Sequence, residues 1–193
     1  MKLVLASASP RRKELLELVG ATFDIIAGNI EEIIDESLPL TQKIEKLALQ
    51  KAEAVAKYLS GDFIVIGADT IVELDGEILG KPQNIDDAKR MIRNLSGKSH
   101  NVITAIALIP TNNKYKPITT HQVTPVKFKE LSEKEIENYV NYGESMDKAG
   151  AYAVQGFGVL IIEGVYGCYT NVVGLPIPLL NKTLKEHFNL SFL

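Results

Sequence analysis

Short apolar runs alternate along the chain with longer segments in which apolar residues recur every three or four positions. The short runs predict buried strands, and the longer segments predict helices with one apolar face. This alternation is typical of an α/β fold, in which helices pack on a sheet. Tight turns join some strands and helices join others, so we predict a mixed sheet rather than a purely parallel one.

The clearest apolar runs predict strands at KLVLAS (2–7), FIVIGAD (63–69), TIVELDGEIL (70–79), HNVITAIALI (100–109) and HQVTPVKFKEL (121–131). Asp75 and Gly76 are a residue pair that a type I′ hairpin turn prefers, so the run over 70–79 is predicted to fold back on itself. A polar turn from Thr111 to Lys114 joins the last two runs. The glycine-rich segment 149–176 predicts further short strands.

The recurring apolar positions predict helices at 10–20, 40–61, 84–97, 133–142 and 178–188. Pro10 suits a first helical turn, because the N–H that it lacks would be unpaired there. Asp86 is the predicted N-cap of the third helix, and Ser132 with Glu135 predicts a capping box for the fourth. The predicted apolar stripe of the first helix is Leu15, Leu16, Leu18 and Val19.

The composition, 46% hydrophobic and 23% charged over 193 residues, is that of an ordinary globular protein, and we expect one domain over 1–193. A formal net charge of −3 provides no general basic field, so no nucleic-acid partner is expected. Cys168 is the one cysteine, and we find no signal-like segment and no apolar run of membrane-spanning length. We therefore expect a cytoplasmic protein with no membrane partner.

The first candidate site is the SASPRR turn between the first strand and the first helix. Ser7 and Ser9 supply hydroxyls, the helix start supplies free N–H groups, and Arg11 and Arg12 can hold phosphate oxygens bidentately. Each cation at a helix N-terminus costs about 0.3–1 kcal/mol against the helix dipole, so their presence indicates an anionic ligand. A serine-capped surface helix with solvated arginines is the alternative.

The second candidate is Asp69, which is predicted to end the apolar strand 63–69. Open α/β sheets commonly bind ligands where strands end, and a carboxylate held there suits metal ligation or general-base catalysis. A turn aspartate that bonds to its own backbone is the alternative.

Two lysines add a third signal. Lys51 lies on the apolar stripe of its helix, where it either extends to solvent or faces an anion, because burial of an unpaired ammonium is unfavourable. Lys81 lies between Gly80 and Pro82, a sequence that can direct one side chain.

Carboxylates cluster in NIEEIIDE (29–36), which contains Glu31, Glu32, Asp35 and Glu36. A magnesium ion bound to phosphates needs one or two such ligands, and most of the four are expected to be solvated. The histidines His100, His121 and His187 lack metal-binding spacing, and no serine-hydrolase elbow, Walker loop or dinucleotide fingerprint occurs. Hydride transfer, serine hydrolysis and zinc chemistry therefore lose support.

Taken in order, LASASPRRKELL, GADTIVELDGEILGKP, LSGKSHNVITA, DKAGAYAVQG and VVGLP closely resemble the Maf family of nucleoside triphosphate pyrophosphatases, over nearly the whole chain. The resemblance implies a fold like that of the inosine triphosphate pyrophosphatases: an elongated mixed sheet flanked by helices, with two lobes around a cleft. It also implies hydrolysis of a nucleoside triphosphate between its α- and β-phosphates, with Mg²⁺ or Mn²⁺ as cofactor. A homodimer is a further expectation.

The resemblance implies roles for the candidate residues. Asp69 would activate water and, with Glu32, ligate the metal. The expected substrate-binding residues are Ser7, Ser9, Arg11, Arg12, Lys51, Thr70, Lys81 and Gln155.

Within the family, the branch that acts on dTTP and UTP resembles this sequence in the arginine pair Arg11 and Arg12 after SP, in Thr70 after Asp69, and in Gln155. The branch that acts on 7-methyl-GTP has a bulky aromatic after SP and Gln in place of the Thr. Gln155 offers a donor and an acceptor to a uracil or thymine edge. We predict hydrolysis of dTTP, UTP and modified pyrimidine triphosphates.

The sequence leaves two other functions open. A nucleotide-binding regulator of cell division would use the same phosphate site without significant catalysis, and a 7-methyl-GTP pyrophosphatase would differ in its base. An RNA-binding module is disfavoured by the acidic balance of the chain and by the absence of an aromatic stacking strip.

Overall fold

A computed structural model describes residues 1–28, 32–112 and 114–193 of the chain. The strands are β1 (Lys2–Leu5), β2 (Phe23–Ile25), β3 (Phe63–Leu74), β4 (Glu77–Leu79), β5 (Ser99–Pro110), β6 (Ile118–Phe128) and β7 (Ile162–Val165). The helices are α1 (Pro10–Leu18), α2 (Leu40–Ala56), α3 (Ile85–Leu95), α4 (Glu133–Asn141), α5 (Gly158–Ile161), α6 (Tyr169–Val173) and α7 (Ile177–Phe188), with a 3₁₀ turn at Ala149–Ala151.

Within the described residues the strands form one sheet in the order β2-β1-β3-β5-β6-β7, and β4 pairs with β3. Strand β1 runs parallel to both β2 and β3, so that Leu5 lies opposite Ile25 on one side and Ile66 on the other. The pairs β3–β4 and β6–β7 are antiparallel. The predicted mixed sheet flanked by helices is therefore confirmed.

The hairpin between β3 and β4 has the predicted turn. Asp75 and Gly76 both have positive φ, 53° and 88°, as a type I′ turn requires at its two central residues. Positive φ strains most side chains, but Asp tolerates this region and Gly has no Cβ to clash.

Three local predictions are wrong. The N-cap of α3 is Asn84, whose side chain accepts a hydrogen bond from the Asp87 N–H at 2.9 Å, so Asp86 lies in the first turn instead. Leu18 is 77% exposed, because it lies about 200° around the helix from the buried Leu16. The glycine-rich segment contains a single strand, β7, and otherwise helical turns, because positive φ at Gly150 and Gly156 interrupts the extended backbone.

Strand β2 was not predicted, because three residues are too few to show a period. Helix α2 ends at Ala56, before the predicted end at 61. The capping box is confirmed: the Ser132 side chain accepts from the Glu135 N–H, and the Glu135 carboxylate accepts from the Ser132 N–H.

The chain divides into two compact units, and each is described by itself. Unit 1 comprises 1–69, 104–122 and 174–193, and unit 2 comprises 70–103 and 123–173, apart from the residues outside the described ranges. Unit 1 has an apolar core from strands β1 and β3 and helices α1, α2 and α7 that includes Leu5, Leu16, Ile44, Ile64, Ile66, Leu180 and Phe188. The prediction of one domain over 1–193 stays a prediction.

No helix in the described part of the chain is long and apolar enough to cross a membrane.

The core of unit 2 contains a buried aromatic cluster of His100, Phe128 and Tyr152. The three rings meet edge to face, with centroids 4.8 to 5.3 Å apart. His100 Nε2 and the Tyr152 hydroxyl form a 2.6 Å hydrogen bond, while His100 Nδ1 is buried and has no hydrogen-bond partner among the described residues. Burial lowers the pKa of His100 to about 4, so the imidazole is neutral near pH 7.

His100 makes the folding free energy depend on pH. An unfolded histidine has a pKa of about 6.5, so on acidification the unfolded chain binds a proton before the folded chain does. The stability that His100 contributes is complete above pH 6.5 and is lost as pH falls toward its folded pKa of about 4. By pH 5.5 the loss is about 1 kcal/mol.

Urea denaturation at pH 7.5 and pH 5.5 measures this loss. In His100→Gln the difference between the two pH values is expected to shrink by about 1 kcal/mol. His187→Gln, which changes an exposed histidine, is the matched control and keeps the wild-type difference. An unchanged pH dependence in His100→Gln would contradict the prediction.

Candidate active site

The SASPRR turn is the segment of unit 1 between β1 and α1. Ser9 is the N-cap residue of α1 by position, but its side chain makes no capping hydrogen bond. Its backbone N–H instead donates to the Ser7 hydroxyl at 3.2 Å. Pro10 begins the helix, as predicted. The alternative of a serine-capped helix therefore does not describe this turn.

Arg12 is held by two acceptors of the same unit. Its Nε donates to the Gly174 carbonyl at 2.8 Å, and its Nη1 donates to the Ser7 hydroxyl at 3.2 Å. Burial lowers the pKa of Arg12, the charge of Asp69 acts to raise it, and the charge of Arg11 adds to the lowering. Arg12 is therefore a fixed, partly buried cation and not a solvated one.

Asp69 lies inside β3 and not at its end. Strand β3 continues to Leu74, because Thr70, Ile71 and Val72 are β-branched residues that favour an extended backbone. The prediction that Asp69 ends its strand is wrong, and so is the alternative of a turn aspartate. The Asp69 side chain is 14% exposed.

Lys51 of α2 connects two carboxylates of unit 1. Its Nζ donates to Asp69 Oδ1 and lies 2.9 Å from Glu32 Oε1. The Lys51 side chain is 21% exposed, so it faces these anions rather than extending fully into water. The structure therefore agrees with the interpretation that Lys51 faces an anion, and not with the one in which it extends to solvent.

Gly67 brings Lys51 and Asp69 together, because it allows α2 to lie directly against β3. A Cβ atom at Gly67 would be 2.2 Å from the Ala48 carbonyl oxygen, 2.8 Å from the Ala52 nitrogen and 2.9 Å from the Ala52 Cβ. No real side chain tolerates such distances. The small residues Gly67, Ala48 and Ala52 therefore set the separation of the strand from the helix that carries Lys51.

Asp35 and Glu36, the other described acidic residues of 29–36, form surface ion pairs. Asp35 pairs with Lys46 at 3.2 Å, and hydrogen bonds from Ser37 and Lys46 lower its pKa. Glu36 pairs with Lys43 at 2.5 Å. Glu31 lies outside the described residues. Of the described carboxylates of this segment, Glu32 is the one that reaches Lys51.

The residues present fit a divalent cation bound by two carboxylates. Among the described residues there is no group of three or more His, Cys, Asp or Glu side chains that would form a complete protein cage. Glu32 and Asp69 nevertheless direct oxygens at one cationic point, the Lys51 ammonium. Mg²⁺ typically takes one or two carboxylates and completes its ligands with phosphates and water, so two suffice.

Unit 2 carries the remaining predicted site residues. Lys81 is exposed, and the Gly80 carbonyl beside it accepts a hydrogen bond from the Gly150 N–H at 3.0 Å. This bond joins the GKP segment to the AGAYAVQG segment that contains Gln155, whose own carbonyl accepts from the Gly158 N–H at 3.2 Å. Thr70 lies in β3 directly after Asp69. The substrate contacts of Thr70, Lys81 and Gln155 stay predictions.

The chain is similar to known proteins over nearly its whole length. Residues 2–187 match the family described as Maf-like protein. The chain belongs to the Maf family. A relative named dTTP/UTP pyrophosphatase from Alkaliphilus oremlandii (strain OhILAs) is 48% identical over 192 residues, which are 100% of this chain and 99% of the relative. A relative of the same name from Bacillus cereus (strain G9842) is 49% identical over 185 residues, 96% of this chain and 95% of the relative.

The fold of this Maf-family chain is also similar to a solved structure. The Staphylococcus aureus Ham1 protein aligns with a TM-score of 0.54 at 16% identity, over 96% of this chain and 99% of that one. At this identity the likeness concerns the fold alone. It agrees with the fold that the Maf resemblance implied.

Two glycines that position residues of the candidate site were not predicted from the sequence. Gly174 lies in VVGLP, one of the motifs that carried the resemblance, and its carbonyl holds Arg12. Gly67 lies in GADT, two residues before Asp69. A glycine inside a β-branched strand is itself a signal of close backbone approach.

Gly67→Ala is expected to lower the free energy of unfolding by about 3 kcal/mol, the upper range for overpacking, because the obstructing atoms belong to the backbone of α2. Urea denaturation measures the change. Gly80→Ala is the matched control: a Cβ there meets nothing within 4 Å, so its stability should stay within about 0.5 kcal/mol of wild type. A Gly67→Ala protein as stable as the control would contradict the packing argument.

Proposed function

We propose that this protein hydrolyses dTTP and UTP, and modified pyrimidine triphosphates, to the monophosphate and pyrophosphate. The observation that carries the proposal is the end-to-end similarity to relatives named dTTP/UTP pyrophosphatase, at 48% and 49% identity. The contacts of unit 1 support it: the Lys51 ammonium donates a hydrogen bond to the Asp69 carboxylate, and the charges of Asp69 and Arg12 also interact.

In the proposed reaction the oxygen of a water molecule bonds to the α-phosphorus, and the bond from that phosphorus to the bridging oxygen breaks. Asp69 accepts the proton of the water, so that a nucleophile forms as the new bond forms. Pyrophosphate leaves with the electron pair of the broken bond. The negative charge that develops on the phosphate oxygens is offset by Arg11, Arg12, Lys51 and Lys81.

Arg12 is suited to this task because it is already in place. Its Nε and Nη1 bonds to Gly174 and Ser7 fix the guanidinium before substrate binds, so little rotamer entropy is lost on binding. A donor that needs no reorganisation stabilises the transition state most effectively. Ser7 and Ser9 remain proposed substrate-binding residues of the same turn.

Glu32 and Asp69 are the residues that would hold a divalent cation, for which we propose Mg²⁺ or Mn²⁺. Such an ion, bound to phosphate oxygens, withdraws negative charge from the reacting group. A cytoplasmic location, a role in clearing unwanted nucleotides and a homodimer complete the proposal.

Gln155 is the proposed reader of the base, with Thr70 and Lys81 as further substrate-binding residues. The amide of Gln155 presents one donor group and one acceptor, which match the imide edge of uracil and thymine. A site that offers paired donors and acceptors rejects bases that leave them unpaired.

The reaction and the role of Asp69 are tested together by product analysis. Purified protein is incubated with Mg²⁺ or Mn²⁺ and dTTP, UTP, CTP, GTP or 7-methyl-GTP, and the products are separated chromatographically. We expect monophosphate and pyrophosphate from dTTP and UTP, and a fall in kcat of at least about 100-fold in Asp69→Asn, the lower range for loss of a general base. Asp35→Asn, at a surface ion pair, is the control and keeps wild-type turnover.

Each contrary result has a separate meaning. Near-normal turnover by Asp69→Asn would remove Asp69 from the role of base. Faster hydrolysis of 7-methyl-GTP than of dTTP would reverse the base assignment. Nucleotide binding without turnover of any triphosphate would favour the regulator.

Gln155→Leu tests the base contact, because leucine has a similar size and neither a donor nor an acceptor. We expect KM for dTTP and UTP to rise by about 10- to 100-fold, as when a polar ligand edge loses its partner. Steady-state kinetics separate this rise from any change in kcat. The same substitution at the exposed Gln83 is the control and leaves KM unchanged. If Gln155→Leu has the KM of wild type, another residue reads the base.

A further inference from the structure

We propose that the Lys51 ammonium occupies the place of the divalent cation between Glu32 and Asp69, so that Lys51 and the metal compete for these carboxylates until a nucleotide binds. The inference rests on the proposed function for the identity of the nucleotide. The competition itself concerns only residues of unit 1 and a metal ion.

Lys51 lies at the point on which two carboxylates converge. Its single Nζ atom bonds to Asp69 Oδ1 and lies 2.9 Å from Glu32 Oε1, so both carboxylates point at one position. A divalent cation bound by the same two carboxylates needs its oxygens to converge in the same way. The ammonium and the metal therefore cannot both hold this position.

The charges of Lys51 and Arg12 disfavour metal binding when no nucleotide is present. Lys51 offsets one of the two carboxylate charges, and Arg12, which also interacts with Asp69, offsets the other. A divalent cation that enters without nucleotide therefore finds no net negative charge from these four groups. It must displace the Lys51 ammonium, and it is repelled by Arg12. The partial burial of Lys51 and Asp69 reduces the screening of that repulsion.

Binding of a nucleotide changes the partners of these cations. The phosphates of a triphosphate provide new anionic partners for Lys51 and Arg12, and transfer of the ammonium to a phosphate oxygen leaves Glu32 and Asp69 free. Metal and nucleotide then strengthen the binding of each other, because linkage between two ligands is reciprocal. Lys51 thus keeps the metal affinity of the empty enzyme low and makes tight metal binding depend on substrate.

The test is a Mn²⁺ titration of the full chain without nucleotide, with free Mn²⁺ followed by its electron paramagnetic resonance signal. Lys51→Met removes the ammonium and keeps an unbranched side chain that is one atom shorter. We expect it to bind Mn²⁺ at least about tenfold more tightly than wild type, because one full charge next to the ion is lost. Lys46→Met, on the same helix, is the matched control. Among the described residues Lys46 pairs with Asp35 and with neither Glu32 nor Asp69, so the same change of net charge should leave the Mn²⁺ affinity unchanged.

The double variant Lys51→Met with Asp69→Asn locates the effect, and it should lose the gain in affinity. Circular dichroism and urea denaturation establish that each variant is folded. A Lys51→Met protein that binds Mn²⁺ no more tightly than wild type overturns the proposal, as does a gain that survives in the double variant. No turnover enters this measurement, so a failure of the pyrophosphatase assay and a failure of the competition are separate results.

Discussion

The direct contact of α2 with β3 at Gly67 is the constraint on which the candidate site of unit 1 depends. Any side chain at position 67 would meet the backbone of α2 at Ala48 and Ala52. With the helix pressed against the strand, Lys51 lies one turn beyond Ala48 and reaches Asp69, two positions beyond Gly67. The geometry of the charged pair is therefore set by apolar close packing, which tolerates little displacement. The small residues Gly67, Ala48 and Ala52 therefore determine where Lys51 and Asp69 meet.

The long cationic side chains Arg12 and Lys51 of unit 1 are held in place by their contacts. Arg12 is held through Nε and Nη1 by Gly174 and Ser7, and Lys51 is held between two carboxylates. Fixing these long side chains in the folded protein removes an entropy cost that would otherwise oppose binding of a polyanion. The resting ion pair has a second consequence, since the carboxylates that suit a metal already have a cation between them.

Local chemistry made several features predictable. The type I′ turn at Asp75 and Gly76 and the capping box of Ser132 and Glu135 depend on neighbours within a few residues, so their patterns are readable in sequence. Where a local signal had a close competitor, prediction failed: Asn84 rather than Asp86 caps α3, because the two stand two residues apart and only the folded turn decides between them. The strand that carries Asp69 was predicted as two runs that meet between residues 69 and 70, because Asp is depleted in strands and commonly marks the end of one.

The sequence by itself determined the alternation of strands and helices, the family and the candidate residues, since each depends on residue type, spacing and the order of motifs. Only the tertiary structure decided that Lys51 faces Glu32 and Asp69, that Gly174 holds Arg12 and that Asp69 lies within its strand. These contacts join residues far apart along the chain, Arg12 and Gly174 by 162 positions, and they follow from the register of strands and the closeness of packing. A helical period shows which face of α2 is apolar, but not which strand it packs against.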